Sequence, residues 1–284
     1  FLKEFGADRV LDTPLAESSI AGIAVGAAMS GMRPIAEIEF ADFIWATFNQ
    51  IVGEAAKVRY GTKGQLQVPM VLRAPQGGGI RGGLYHSQTV EAFFAHTPGL
   101  KVVTPSTPYD TKGLLKSAIR DDDPVVFLEH KRTYRLVRGE IPEKEYVLPL
   151  GVADVKLEGK DISVITYGLM VHHCLEAARI LENEGVSVEI LDLRTIRPLD
   201  IQSILDTAKK TGKVLIVHED SKALGIGAEV AAIIAEQAFE HLDAPITRRA
   251  GPEVPAMPFS PTLEALYMQN AEAIASSMRD LAAY

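Results

Sequence analysis

Along most of the chain, short apolar or β-branched runs alternate with longer stretches of helical periodicity. Residues 9–12 read as a strand, followed by a helix start with Thr13 as N-cap and Pro14 at the first helical position. Residues 34–40, 68–73, 101–104 and 124–128 read as further strands, and 41–60 and 109–120 as helices. The pattern breaks over residues 138–150, a polar, proline-containing stretch that reads as a linker. Alternation resumes with strands at 162–167, 186–193 and 213–218, and helices at 170–184, 200–210, 228–239 and 270–282. Strand–helix alternation of this kind predicts an α/β protein of two domains, 1–137 and 151–284, each built on a mostly parallel sheet.

The helix expected after Pro14 is unusual. It carries no charge from Ser18 to Met32, and Gly22, Ala24, Gly26, Ala27 and Ala28 leave little side chain on its surface. A helix apolar all round is expected to be buried on all sides, here partly by a partner subunit. The same stretch is too short and too rich in glycine and serine to cross a bilayer.

Composition narrows the function classes. The chain has 284 residues, 47% of them hydrophobic, and a net charge of −8 with no basic cluster, so neither a nucleic-acid nor a membrane partner is expected. A single cysteine, Cys174, excludes an internal disulfide framework and fits a reducing compartment. The chain opens on Phe1 in helical character without an initiator Met, which leads us to expect that N-terminal sequence is missing.

Several stretches invite chemical readings. Gly225-Ile226-Gly227 has Val230 at the third glycine position of a dinucleotide fingerprint, and no strand runs straight into it. His172-His173-Cys174 would point about 100° apart along a helix, so the three cannot converge on one metal. His218-Glu219-Asp220 ends a strand and either lines a cleft or, the plainer reading, is an ordinary polar strand end. Residues 76–83 place five glycines in eight positions after a buried strand and lead into Tyr85-His86-Ser87-Gln88. This is either a surface loop ending in a helix capped by Ser87, or a ligand loop at a strand C-terminus that carries a functional His86. Glu17, in the first turn of the apolar helix, is either a carboxylate favoured by the helix dipole or a buried proton-handling group.

Longer strings carry a resemblance. Leu11-Asp12-Thr13-Pro14-Leu15-Ala16-Glu17, Arg33-Pro34-Ile35-Ala36-Glu37-Ile38-Glu39-Phe40-Ala41-Asp42-Phe43 and Gly83-Leu84-Tyr85-His86-Ser87-Gln88 resemble the beta subunit of the decarboxylating component of 2-oxo acid dehydrogenase complexes. Pro98-Gly99-Leu100-Lys101-Val102-Val103, residues 112–120 and Asp192-Leu193-Arg194-Thr195-Ile196-Arg197-Pro198 extend the match over essentially the whole chain. The resemblance implies a thiamine-diphosphate pyrimidine-binding domain followed by a transketolase C-terminal-type domain. It also implies an α2β2 heterotetramer with an alpha subunit that holds the diphosphate and its Mg²⁺. This chain has no Gly-Asp-Gly motif for that purpose.

By resemblance, Glu17 hydrogen-bonds the aminopyrimidine and stabilises the imino tautomer that activates the cofactor. Leu15, Glu39 and Phe43 match residues lining the pyrimidine, although Glu39 replaces the Gln often found there. His86 matches a histidine that assists acyl transfer to the lipoyl group of the acyltransferase core. Met70, Ala118, Ile119, Asp121 and Asp123 match a K⁺ site built largely from backbone carbonyls.

Phe40-Ala41-Asp42-Phe43 and Glu91-Ala92-Phe93-Phe94-Ala95-His96 resemble branched-chain 2-oxo acid enzymes more than pyruvate ones, which implies branched-chain substrates. Pyruvate (or acetoin) dehydrogenase beta subunits and a split transketolase-like subunit are the alternative enzymes, and a structural scaffold the non-enzymatic one. The expected compartment is the bacterial cytoplasm, or the mitochondrial matrix in a eukaryote.

Overall fold

The computed structural model describes residues 1–284. Ten strands form two five-stranded sheets: β1 (Ile35–Glu37), β2 (Val71–Gln76), β3 (Lys101–Val103), β4 (Val125–His130), β5 (Asp154–Leu157), β6 (Ile162–Thr166), β7 (Val188–Asp192), β8 (Thr195–Arg197), β9 (Val214–Ser221) and β10 (Thr247–Gly251). The first sheet runs β1-β2-β4-β3-β8 and the second β10-β9-β6-β7-β5. Within each, four strands are parallel and one edge strand, β8 or β5, is antiparallel. The fold is thus the expected α/β arrangement of two mostly parallel sheets.

Central strands read as unbroken apolar runs because helices cover both faces of a parallel sheet. All six residues of β4 and all five of β6 and β7 are buried. Helix Pro108–Arg120 starts where Thr107 accepts a hydrogen bond from the Asp110 backbone N–H, with Pro108 pre-set for the first turn. Helix Ile201–Thr211 is capped by Asp200 at one end and by a left-handed Gly212 at the other.

The two sheets share one core. A single apolar cluster runs from Ile38, Phe94 and Leu100 in the first unit to Ile165, Leu191 and Val230 in the second. β8, read from the second half of the chain, pairs antiparallel with β3 and so completes the first sheet. Residues 138–150 carry no helix or strand; Tyr146 of this stretch stacks on Tyr109 of helix Pro108–Arg120 at 4.6 Å.

Some local expectations are overturned. Residues 9–12 form no strand: they have no partner, because the β1 edge pairs only with β2, and Leu11 lies exposed. The helix expected from Pro14 begins at Glu17, since Ala16 at φ −141° is not helical and its N–H is turned back to the Pro14 carbonyl; Thr13 caps nothing. Residues 41–60 are not one α-helix but a 3-10 turn (Ala41–Thr47), a π segment (Asn49–Ala55) and a short α-helix (Ala56–Gly61).

Helix Glu17–Met29 is not buried on all sides within this chain. Ala21, Ala24, Val25 and Ala28, at i, i+3, i+4 and i+7, pack inward, while Ile23 on the other face is 61% exposed. Ser87 caps no helix either; the next one starts at Glu91 behind Val90.

Candidate active site

Of the residues singled out in the first half, Phe43 and His86 meet directly, and the Glu17 helix packs on the 3-10 turn that carries Phe43. Glu17 is the first residue of its helix, where the N-terminal dipole favours a carboxylate, and is only partly buried. Leu15, just before it, is 90% exposed. Glu39 follows β1 and is exposed, and Phe43 lies in the 3-10 turn that packs beneath the Glu17 helix.

His86 follows the glycine-rich loop and meets this group through aromatic edges. Its ring stands T-shaped to Phe40 and to Phe43, with 5.5 Å between centroids in each case. The loop exit is tied down by a buried ion pair. Lys131 Nζ donates to the His86 backbone carbonyl at 2.7 Å, lies 4.7 Å from the Phe40 ring and sits 3.9 Å from Asp42 Oδ2. Burial pushes the Lys131 ammonium down to about 8 despite the attraction of Asp42 and Glu219. Asp42 Oδ1 in turn accepts from the backbone N–H groups of Ser87 and Gln88.

Beneath the loop, where the two sheets meet, lies a buried polar cluster around a cavity of about 20 Å³ lined by Gln76, Glu91, Thr104, His130, Tyr167 and Glu219. Tyr167 donates to Glu91 at 2.9 Å, and His130 Nε2 bonds Glu219 at 2.7 Å. Burial, with Asp220 nearby, raises the Glu91 carboxyl to about 8, and burial raises Asp220 to about 6. Glu219 goes the other way: burial would raise it, but the charge and hydrogen bond of His130 and the Gly78 N–H hold it below the usual range. His218, stacked on Tyr167, is driven to about 4 by burial and stays neutral.

The strand-end triplet 218–220 is therefore more than a polar strand end. Its one sequence signal was position, at the C-terminal end of a parallel strand, where α/β sheets place ligand groups. Asp42, Lys131 and Glu264 gave no local signal.

The arrangement suits one half of a thiamine-diphosphate site. A carboxylate at a helix N-terminus, an aliphatic side chain and an aromatic face are the kinds of group that hold an aminopyrimidine. In this chain Leu15 and Glu39 are exposed and Glu17 is only partly buried. A cleft of about 810 Å³ around His96, Arg197 and Leu224 contains none of them.

The residues expected to hold K⁺ come together at the end of helix Pro108–Arg120, but cationic side chains already engage them. Arg33 Nη1 donates to the carbonyls of Ile119 at 3.1 Å and Asp121 at 2.7 Å. Lys101 grips the Asp121 carboxylate at 2.6 Å, and Arg59 binds Asp123 at 2.7 Å. The Ala118 carbonyl accepts from Asp121 N–H, and the Met70 carbonyl from Val125 N–H. His172 and Cys174 point apart, the first to the Ser106 carbonyl and the second into the core.

Comparison with known proteins matches residues 2–137 to the transketolase pyrimidine binding domain and 151–274 to the transketolase C-terminal domain. The chain is 60% identical over 282 residues to 2-oxoisovalerate dehydrogenase subunit beta of Bacillus subtilis (strain 168), covering 99% of this chain and 86% of that protein. It is 52% identical to the beta subunit of acetoin:2,6-dichlorophenolindophenol oxidoreductase of Cupriavidus necator (96% and 80% covered). It is 48% identical to the pyruvate dehydrogenase E1 component subunit beta of Bacillus subtilis (98% and 85% covered). A solved split gene transketolase, described as an inactive beta4 tetramer, shares the fold with a TM-score of 0.81 at 24% identity, covering 100% of this chain and 86% of that one. No helix is long and apolar enough to cross a membrane.

Proposed function

The chain belongs to the beta subunits of the thiamine-diphosphate-dependent 2-oxo acid dehydrogenases, working with an alpha subunit, and on that premise we propose that it serves the oxidative decarboxylation of branched-chain 2-oxo acids in an α2β2 heterotetramer. One observation carries this reading: the His86 ring stands edge-on to Phe43, in the 3-10 turn on which the Glu17 helix packs, and Leu15 and Glu39 lie exposed; we read this group as an open half-site. A half-site needs a second chain, and the exposed face of helix Glu17–Met29 offers a surface for it. The greater identity to a 2-oxoisovalerate dehydrogenase beta subunit than to pyruvate or acetoin subunits favours branched-chain substrates.

The roles follow from the chemistry of the side chains. Bound thiamine diphosphate supplies an electron sink for decarboxylation. Glu17 holds a proton-sharing contact to its pyrimidine, Phe43 offers an aromatic face, and Leu15 and Glu39 border the ring. The diphosphate and Mg²⁺ belong to the alpha subunit. His86, at the exit of the glycine-rich loop, where Lys131 holds its carbonyl, handles a proton during acyl transfer to the lipoyl group of an acyltransferase core. Division of the chain into 1–137, a linker at 138–150 and 151–284, and a cytoplasmic setting as in bacteria, belong to the same proposal.

K⁺ enters this reading only in competition: Arg33 and Lys101 hold the Ile119 and Asp121 oxygen atoms among those it would need, so it would bind where they are displaced.

The test is turnover by the chain assembled with its alpha subunit. Preference for 3-methyl-2-oxobutanoate over pyruvate, with the lone chain inactive and unable to bind the cofactor tightly by calorimetry, is expected. Preference for pyruvate overturns the substrate; tight Mg²⁺-dependent binding by the lone chain overturns the shared site.

A further inference from the structure

The glycine-rich loop is gripped from the second sheet's side by two carboxylates. Glu219, at the end of β9, accepts the Gly78 backbone N–H at 2.6 Å. Glu264, in helix Pro261–Tyr267, accepts from both Gly79 N–H at 2.9 Å and Arg81 N–H at 3.0 Å through one oxygen. Both carboxylates are nearly fully buried, at 5% and 6% exposed. Charge-assisted bonds to backbone N–H groups are shorter and stronger than neutral ones.

The loop is shaped for this grip. Gly77 and Gly79 adopt φ of +93° and +77°, and a Cβ on Gly77, Gly78 or Gly79 would run into His130, Met257 or Arg132 respectively. His130 is itself held at both ring nitrogens, its Nδ1 3.2 Å from the Arg132 backbone N and its Nε2 2.7 Å from Glu219 Oε2. Glycine-rich backbone loses more freedom on ordering than any other, so a loop of this composition stays placed only if its amides are tied down. Little of what it presents is core: Arg81, Leu84, Tyr85 and His86 all lie exposed. The order of the loop therefore serves the side chains it displays.

We propose that Glu219 and Glu264 are positioning residues, which fix the entry of the loop from the second domain as Lys131 and Asp42 fix its exit from the first, and so set the His86 imidazole. The proposal rests on the reading of His86 as the group that assists acyl transfer. Neither carboxylate need touch substrate or cofactor. Their effect passes through the backbone of residues 77–86, and a misplacement of about 1 Å can cost on the order of 10²-fold in rate.

The test uses the enzyme assembled with its alpha subunit and the variants Glu264→Leu and Glu264→Gln. Leucine removes the acceptor; glutamine keeps an acceptor oxygen without the charge. Amide hydrogen exchange over residues 77–83 should rise strongly in Glu264→Leu and slightly in Glu264→Gln. In the same order, reductive acylation of a lipoyl domain should fall up to about 10²-fold further than turnover with an artificial electron acceptor. A purely structural role would lower both activities in proportion, and that result, or unchanged loop exchange, overturns the proposal. If the leucine variant does not assemble, glutamine against wild type decides by the same two readouts. The exchange measurement is independent of catalysis. If His86→Ala leaves the ratio of the two activities unchanged, it is the role of His86 that fails.

Discussion

The imidazole of His86 stands edge-on to the ring of Phe43, the planes at 78° and the centroids 5.5 Å apart, although 42 residues of chain and a whole strand separate them. An aromatic wall assigned to the pyrimidine and a histidine assigned to acyl transfer are thus one packed unit. Removing either side chain alters the support of the other.

Replacing His86 by alanine should damage transfer to lipoyl more than decarboxylation. Turnover with an artificial electron acceptor should survive, while reductive acylation of a lipoyl domain falls by roughly 10²–10⁴-fold, the range for a lost general acid–base group. An equal fall in both would place the histidine at an earlier step.

Glu17→Gln keeps the shape of the side chain at the helix N-terminus but removes its charge. Hydrogen–deuterium exchange at C2 of the bound cofactor should slow by roughly 10²–10⁴-fold, with assembly intact. Exchange at the wild-type rate in the assembled variant would remove Glu17 from the activating role.

Stability of the assembled enzyme should fall as pH rises from about 4.5 to about 8, the span between the ordinary and the folded-state pKa of Glu91. Glu91 titrates at about 8 instead of its ordinary 4.5, so between those values the folded chain holds more protons than the unfolded one. Its contribution is complete below pH 4.5 and is lost as pH rises through 8. Asp220, raised to about 6, acts in the same direction. His218 has the opposite sign: depressed to about 4, it contributes fully above pH 6.5 and loses that contribution as pH falls through 4. In Glu91→Gln, melting temperatures measured from pH 5 to 8 should lose much of this decline. An unaltered decline would show that Glu91 is ionised in the fold.

Arg33→Met should expose the carbonyls of Ile119 and Asp121 that the guanidinium now satisfies. The melting temperature should fall, and part of the loss should return in KCl but not in choline chloride. A K⁺ response of equal size in the parent enzyme would mean that the ion binds beside Arg33 rather than in its place.

What the sequence disclosed followed physical range. β2 and β4 were legible because strands buried on both faces are continuous apolar runs, and helix Pro108–Arg120 because Thr107-Pro108 is a local start signal. β5 and β8 were not, being short antiparallel edge pieces defined by their partners alone. Thr13-Pro14 has the same local chemistry as Thr107-Pro108, yet starts no helix, since the backbone at Ala16 turns away first. Glu17, Phe43 and His86 could be singled out through strings that resemble a family. The grip of Glu219 and Glu264 on the loop could not be read, although the strand-end position of Glu219 could: each acts on backbone amides 141 or 185 residues away, and such contacts leave no periodic trace.

Because β8 lies beyond residues 138–150 yet pairs with β3, the first sheet remains unfinished during synthesis until the ribosome has made residue 197 and the next stretch has emerged. Until then β3 is an open edge, able to pair with another nascent chain. A fragment ending at residue 137 would carry that edge permanently and should aggregate rather than fold, so the two halves cannot be exchanged like independent modules. The long-range pairing also raises contact order, which slows folding and lengthens the time such an edge is exposed.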